Sequence, residues 1–511
     1  MPEPQTLRTQ VLGGTKWTII SRLLSFPSKI VISIILVRYL SREDYGTYRI
    51  VLDLSAVTIY LVSLGIQHSI SRYVPEMFEK QQFSNIVKMV AGMTGLRLAV
   101  NLLLLTIFTL CWRPLFNFFH LPQILASSLG LIFLFILLQR TVEVFGQYFH
   151  TALLDFRFQT LHDIIKDATF IGGIVATGLR DWGLAGVLWT LIASELVSFA
   201  VYGSSALYKA AQMIKPRSLS RTGDSSVPVS RIVHYSAYNI LYTFSGLVIG
   251  ASLDSFIIAK FAGMEKVALY TFGLGLIMMV HSINPLNLFK PIFNNIFVRK
   301  YAQTGDKAVL SRGAALSAKL GLFIALPALA GVCLLAGPII HYVYRPDYSG
   351  ALPVIYLFAI IFVFRCLNIV YTAVINTLEL VRYFLWLYIA GLLKLAAAIV
   401  LTWYWGIIGM ASAACLNEII SCALLGYIVE TKGGISPWRA DRSYTRILLN
   451  TSVMAMFVFA VLGWIGGVVS LVATALAGAA IYFGISLKIK PFRAEEREVI
   501  NAFFKRKIMV F

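Results

Sequence analysis

Fourteen apolar runs of roughly 20 residues, parted by short charged breaks, constrain this chain more than any motif in it. They lie near residues 15–37, 50–70, 89–111, 124–149, 164–179, 183–206, 232–259, 267–289, 314–336, 351–378, 383–403, 406–429, 446–465 and 468–487. A helix of that length crosses a hydrocarbon core of about 30 Å, whereas barrel strands would show alternating segments of about ten residues. Composition agrees, since 58% of the 511 residues are hydrophobic, 13% are charged and the mean hydropathy is +0.77. Soluble domains are roughly 45–50% apolar and 25% charged. The expected fold is an all-α polytopic membrane protein of about 14 transmembrane helices. Its weakest runs are the first, which carries Arg22 and Lys29, and the fifth, which opens at Lys166 and Asp167.

Lysine and arginine test the parity of those runs, because cytoplasmic loops near span ends are enriched in both. With the N-terminus inside, inner segments hold 29 of them and outer segments 8. Both termini are therefore expected in the cytoplasm, with the protein in the cell (plasma or inner) membrane. The net charge of +20 is spread over alternate short loops. That distribution suits anionic lipid headgroups and excludes a nucleic-acid partner. The first run is long, contains two cations and lacks a small-x-small site, so no cleavable signal peptide is expected. All five cysteines fall in apolar runs without a CxxC pair, and the seven histidines show no HExxH spacing. Neither a disulfide framework, a metal site nor a cofactor is expected.

The stretch ILVRYLSREDYGTYRIVL, residues 35–52, sets Arg38, Arg42, Glu43, Asp44 and Arg49 between two apolar runs, and an echo, IIAKFAGMEKVALYTFGL, returns at 257–274. The copies match without gaps at Ile35 with Ile257, Arg38 with Lys260, Glu43 with Glu265, Tyr48 with Tyr270 and Leu52 with Leu274. Each joins the end of one span to the start of the next, six spans apart. Six is even, so both copies face the same way and the halves read as parallel repeats. Between them the turn-rich stretch KAAQMIKPRSLSRTGDSSVPVSR, residues 209–231, reads as a cytoplasmic linker. The expected organisation is an N-terminal six-helix lobe over 1–208, a C-terminal lobe over 232–430, and two further spans with a basic tail over 431–511.

The run ILVRYLSREDYGTYRIVLDLSAVTIYLVSLGIQHSISRYVPE resembles the N-terminal signature of polysaccharide flippases in the multidrug/oligosaccharidyl-lipid/polysaccharide exporter superfamily. The resemblance rests on Arg38, Tyr45-Gly46, Leu64-Gly65 and Arg72-Tyr73. It covers roughly the first 80 residues closely, while span count and lobe division agree over nearly the whole chain. It implies a non-enzymatic flippase that moves a lipid-linked sugar from the inner to the outer leaflet. For Arg38 to Arg49 two readings stay open, as helix ends at the outer surface or as gate contacts between lobes.

A charge at the bilayer centre costs about 2.5–3.5 kcal/mol on insertion scales, so each buried one needs a partner or a cavity. In the first run Arg22, Ser25, Lys29 and Ser33 recur at steps of three and four, on one helical face. Arg22 reads either as snorkelling or as a ligand contact; Lys29, near mid-span, reads as facing a cavity. In the fourth run Arg140 and Glu143 are spaced to pair along the helix, and opening of that pair would free Arg140 for an anion. Arg97 has Asn101 one turn on, and Arg365 has Asn368 three residues on; each reads either as a helix-packing bond or as a ligand contact. Asp254 reads as answering a cation elsewhere or binding a coupling ion. In HSINPLNLFKP, Pro285 and Pro291 should interrupt the helix, with His281 and Asn284 lining the break. Glu195, Lys394 and Glu418 fall in spans that the resemblance places away from a central cavity, so interhelical pairing is expected of them.

Substrate contacts are thus expected from Arg22, Lys29, Arg140 and Arg365, and coupling or gating from Glu143, Asp254, His281 and Asn284. The set leans cationic and suits a polyprenyl-diphosphate-linked oligosaccharide, since arginine can fork onto phosphate oxygens. Membrane lipids are further partners, and polysaccharide assembly enzymes are candidate ones. No GxxxxGK[ST] loop for ATP hydrolysis is present. Two rival readings remain: a cation-coupled multidrug extruder, which would want an acidic cavity, and a polytopic glycosyltransferase or polymerase, which would want catalytic acids in larger outer loops.

Overall fold

The computed structural model describes residues 7–153, 155–214, 230–233, 236, 237, 240, 250–282, 284–288, 297, 301, 304–435 and 442–504. At 7–16, 18–20, 22, 23, 79, 285, 288, 381, 442, 499, 500 and 502–504 it describes the backbone alone. Among the described residues fifteen α-helices of nine or more residues carry the architecture, and no strand occurs. They are α1 (Leu7–Tyr39), α2 (Arg42–Val62), α3 (Ile66–Glu79), α4 (Phe83–Phe119), α5 (Leu129–Val142), α6 (Phe156–Leu179), α7 (Gly183–Ile214), α8 (Asp254–Ala262), α9 (Met264–Ser282), α10 (Lys307–Pro338), α11 (Leu352–Thr377), α12 (Leu385–Thr431), α13 (Arg442–Val461), α14 (Val468–Ile489) and α15 (Ala494–Phe504).

The all-α polytopic fold is as the sequence predicts. Among the described residues eight helices are long and apolar enough to cross a membrane, or nine if the bent pair α2–α3 forms one span. Fourteen were expected; the runs at 15–37, 232–259 and 267–289 include positions outside the described side chains or residues. One long helix also divides. At 47 residues α12 would measure about 70 Å if straight, more than twice a bilayer core. Gly406 breaks it with φ 56° and ψ −134°. A Cβ on Gly409 would lie 1.9 Å from the Leu401 carbonyl oxygen, so the chain doubles back there. This gives the expected separate runs 383–403 and 406–429, with exposed Trp403, Tyr404 and Trp405 at the turn, where an aromatic belt belongs.

The second expected run is not continuous. α2 and α3 are bent by 59° at residues 63–65, where Leu64 (φ 46°) and Gly65 (φ 67°) both take the left-handed conformation. A Cβ on Gly65 would meet the Ser236 carbonyl oxygen at 2.4 Å, so backbone proximity as well as φ demands glycine here.

Contacts group the chain into two compact units, 1–268 and 269–511. In the first, α1 packs on α6, α6 on α7, and α5 on α7 and α4. A core of Ile70, Tyr73, Val74, Ile86, Val144 and Phe149 ties α3 and α4 to the turn after α5. The unit extends to 268 because α8 packs on α2 and α4. Most of the expected linker, 215–229, lies outside the described residues, and 209–214 complete α7. In the second unit α10 packs on α11 and α13, α11 on α12, and α13 on α14. Its core joins Phe323, Ile447, Met454, Tyr482 and Phe492, and the Tyr482 hydroxyl donates to the Phe323 carbonyl at 2.7 Å.

The charged interruption at 38–49 has a local cause. Ser41 caps α2 by accepting from the Asp44 N–H at 3.0 Å, while its hydroxyl donates to the Asp44 carboxylate at 2.8 Å. Glu43 and Asp44 then occupy the first turn, where the helix dipole favours negative charge. Gly46 serves packing: a Cβ there would fall 2.2 Å from the Met264 carbonyl oxygen, so the helix backbones meet directly.

Candidate functional site

The densest polar cluster of the first unit joins five helices. Arg97 on α4 and Arg140 on α5 are 1% and 2% exposed, and both bind Glu143, which opens a π-helical turn over Glu143–Tyr148. Such turns recur at functional sites. Arg97 reaches one carboxylate oxygen at 2.9 Å and donates its other nitrogen to the Val62 carbonyl at 2.8 Å. That carbonyl lies in the last turn of α2, where a cation satisfies an orphan acceptor and complements the dipole. Arg140 binds the other Glu143 oxygen and donates to Ser55 Oγ at 2.8 Å and Gln139 Oε1 at 2.7 Å. Gln139 continues to Glu195 on α7 at 3.3 Å, and Glu195 takes Lys166 of α6 at 2.5 Å. Arg140 and Glu143 thus pair along the helix, and Arg97 joins them instead of Asn101. Three cations against two carboxylates leave the cluster cationic.

A second polar surface lies between α1 and α6. Ser21 donates to Asp163 at 2.8 Å, and Asp163 faces His162 at 3.1 Å. His162 meets Ser198 of α7 at 2.9 Å and stacks on Tyr202 at 4.2 Å. One helical turn on, Asp167 interacts with Lys29 and with the Ser28 hydroxyl. Lys29 itself is exposed on α1. The side chain of Arg22 lies outside the described residues.

Asp254 begins α8, is 1% exposed, and lies within electrostatic reach of Asp53 on α2. Asp53 accepts a hydrogen bond from Ser255 and is balanced by Arg49 one turn earlier. At the start of α2, Arg42 forms an ion pair at 3.1 Å with Glu265 in the first turn of α9.

In the second unit Arg365 of α11 is about one-third exposed. Its Nε donates to Glu418 of α12 at 3.4 Å and one terminal nitrogen meets Met278 Sδ at 3.1 Å, while Asn368 donates to Glu418 at 2.7 Å. Glu195 and Glu418 are therefore paired between helices, as expected. The break at Pro285 is present, while Pro291 lies outside the described residues: α9 ends at Ser282, and Asn284 starts a short turn, Pro285–Leu288, by accepting from the Leu286 N–H at 2.9 Å. Buried Asn284 also donates to Cys366 Sγ at 3.1 Å, and His281 packs edge-on against Phe362. His281 and Asn284 therefore stand beside the helix that carries Arg365, while the other candidates, Lys29, Arg140, Glu143 and Asp254, belong to the first unit.

Asp53, Asp163 and Asp167 had no role in the sequence reading. Asp53 is a lone carboxylate within an apolar run, and Asp163 and Asp167 stand one helical turn apart about the start of another; those are the signals that could have found them. No group of three or more His, Cys, Asp or Glu side chains fit to hold a metal occurs among the described residues.

The fold, a helical membrane bundle with charges buried inside it, is shared with solved structures of membrane transporters. A lipid II flippase, MurJ, in an inward closed conformation superposes with a TM-score of 0.65 at 15% identity, covering 96% of this chain and 99% of that one. An inward-facing multidrug resistance MATE family transporter of the MOP superfamily gives 0.63 at 14% identity, over 82% and 99%. No curated protein sequence matches the chain. The model of the polysaccharide biosynthesis protein family matches residues 11–288, and the chain belongs to that family.

Proposed function

We propose that this protein is a flippase that carries a polyprenyl-diphosphate-linked oligosaccharide from the cytoplasmic to the outer leaflet by alternating access. Family membership and the flippase fold support a lipid-linked cargo. The observation that carries the finer reading is a division among intramembrane cations. Arg97 and Arg140 are buried against Glu143, whereas Lys29 and Arg365 keep exposed surface. Only the second pair can reach a diphosphate without dismantling a buried network. Lysine would supply a point charge and arginine a fork of donors.

In this reading the repeats over 1–208 and 232–430 rock about the cargo, both termini face the cytoplasm, and the cell membrane is the site of action. Outward movement of an anion is helped by an inside-negative potential, by about 2.3 kcal/mol per charge per 100 mV. Arg22 is proposed as a further cation for the cargo. Glu143, with Arg140, sets the geometry of the π-helical turn, while His281 and Asn284 shape the break in the other repeat. No covalent chemistry is assigned to any residue. A cation-coupled extruder is the second reading, favoured by the neighbouring carboxylates Asp53 and Asp254.

The test is reconstitution of the full chain in liposomes with a labelled prenyl-diphosphate sugar. The expected result is movement between leaflets with the covalent structure unchanged, lost in Lys29→Ala and Arg365→Ala proteins that insert normally. Undiminished transport in either variant removes that residue from the site. Transport of an organic cation without movement of the lipid-linked sugar favours the second reading.

A further inference from the structure

Between α2, α4, α5 and α8 the first unit forms a partly open cavity of about 190 Å3 with a wholly apolar lining. Its walls include Leu54 and Val57 of α2, Phe108 and Phe116 of α4, Ile132 of α5 and Phe256 of α8. Water would find no hydrogen-bonding partner there, whereas a hydrocarbon chain gains about 25 cal/mol for each Å2 it buries. The adjoining surface of α4 is apolar too, with Leu103, Ile107 and Leu110 exposed.

One end of this space is basic. Phe119 lines the cavity and meets Phe256 edge-on at 5.6 Å. Its neighbour Phe118 carries the Lys260 ammonium 3.2 Å from the ring centre. His120 meets the Lys260 carbonyl at 3.2 Å, and exposed Arg113 lies two turns back on α4. Asp53 and Asp254 adjoin the lining residues Leu54 and Leu253 but do not line the cavity; Asp53 accepts from Ser255, and Glu265 is engaged by Arg42. An apolar chamber under a cationic rim has the two parts of an anionic amphiphile.

We infer that the cavity holds an acyl chain of an anionic phospholipid of the surrounding bilayer, with the phosphate resting on Lys260 and its basic neighbours. This site is separate from the cargo contacts assigned to Lys29 and Arg365 and does not depend on them. Such a lipid fills the space that α2, α4, α5 and α8 leave between them and ties α8 to the rest of the unit.

The experiment uses the full chain in phosphatidylcholine nanodiscs doped with phosphatidylglycerol or phosphatidylcholine bearing a diazirine on one acyl chain. Irradiation and peptide mapping should place the phosphatidylglycerol label within 108–132 and 250–257. Lys260→Gln should lower that labelling by about fivefold, the factor for one cation near an anionic surface. Leu54→Trp fills the chamber and should abolish labelling there, while labelling of the exposed face around 386–405 stays unchanged as a control of folding. Equal labelling by the two lipids overturns the inference, as does unchanged labelling in the Leu54→Trp protein. Displacement of the label by a prenyl phosphate but not by excess phosphatidylglycerol also overturns it and assigns the cavity to the carrier.

Discussion

Arg42 of α2 and Glu265 of α9 meet at 3.1 Å, joining the two copies of the echoed sequence through residues that do not correspond in the repeat. Both side chains are substantially exposed, so the pair is worth only about 0.2–1 kcal/mol. A contact of that size can bias a conformational equilibrium without deciding whether the unit folds. Arg42→Glu should leave the melting temperature nearly unchanged and raise the labelling of a cysteine placed at Gly263 by a membrane-impermeant reagent. Exchange of the charges, Arg42→Glu with Glu265→Arg, should return labelling toward the starting value.

Glu143 presents the opposite case. It answers two guanidinium groups that are almost fully buried, and removing the shared partner of a buried pair costs about 3–5 kcal/mol. Glu143→Gln should therefore lower the yield of folded protein and the thermal stability measured in detergent. Glu143→Gln combined with Arg140→Gln and Arg97→Gln should recover part of that loss, since no buried charge is left uncompensated among the three.

Hydropathy made the helices legible because span length is dictated by the bilayer and not by partners. The division of 383–429 into two spans and the break at Pro285 were legible for a similar reason: each depends on residues within a few positions. Arg97 shows where such reading ends. Its sequence neighbour Asn101 is one turn away, yet its bonds run to Val62 and Glu143. Which side chain a buried arginine finds depends on helix rotation and crossing height, and neither is encoded in an apolar run. Asp53 escaped for the same reason, since a lone carboxylate acquires meaning only beside Ser255.

Gly46 tests the direct approach of helix backbones. A methyl group there would sit 2.2 Å from the Met264 carbonyl oxygen, a backbone atom that cannot rotate away. Gly46→Ala should cost about 1–3 kcal/mol, the usual penalty of overpacking. Thermal unfolding in detergent would read it, and a melting temperature equal to the parent's would show that the two helices separate readily.

Arg365 and Glu418 allow the cargo reading to be tested by sign as well as by size. Glu418 holds the Arg365 Nε at 3.4 Å and takes a shorter bond from Asn368 at 2.7 Å, so the guanidinium is loosely tethered while the carboxylate is more firmly held. An incoming diphosphate would compete with Glu418 for the arginine. Arg365→Gln removes a charge-assisted bond worth about 1.5–3 kcal/mol and should weaken cargo binding by roughly tenfold or more. Glu418→Gln keeps a hydrogen-bonding group for Asn368 and removes the competing charge, so the same measurement should show tighter binding. If Arg365 only fastened α11 to α12, both substitutions would loosen the same packing and move binding in the same direction. Binding of a fluorescent prenyl-diphosphate sugar to the two variants separates these cases, because opposite shifts place the guanidinium at the cargo and parallel shifts place it in the scaffold.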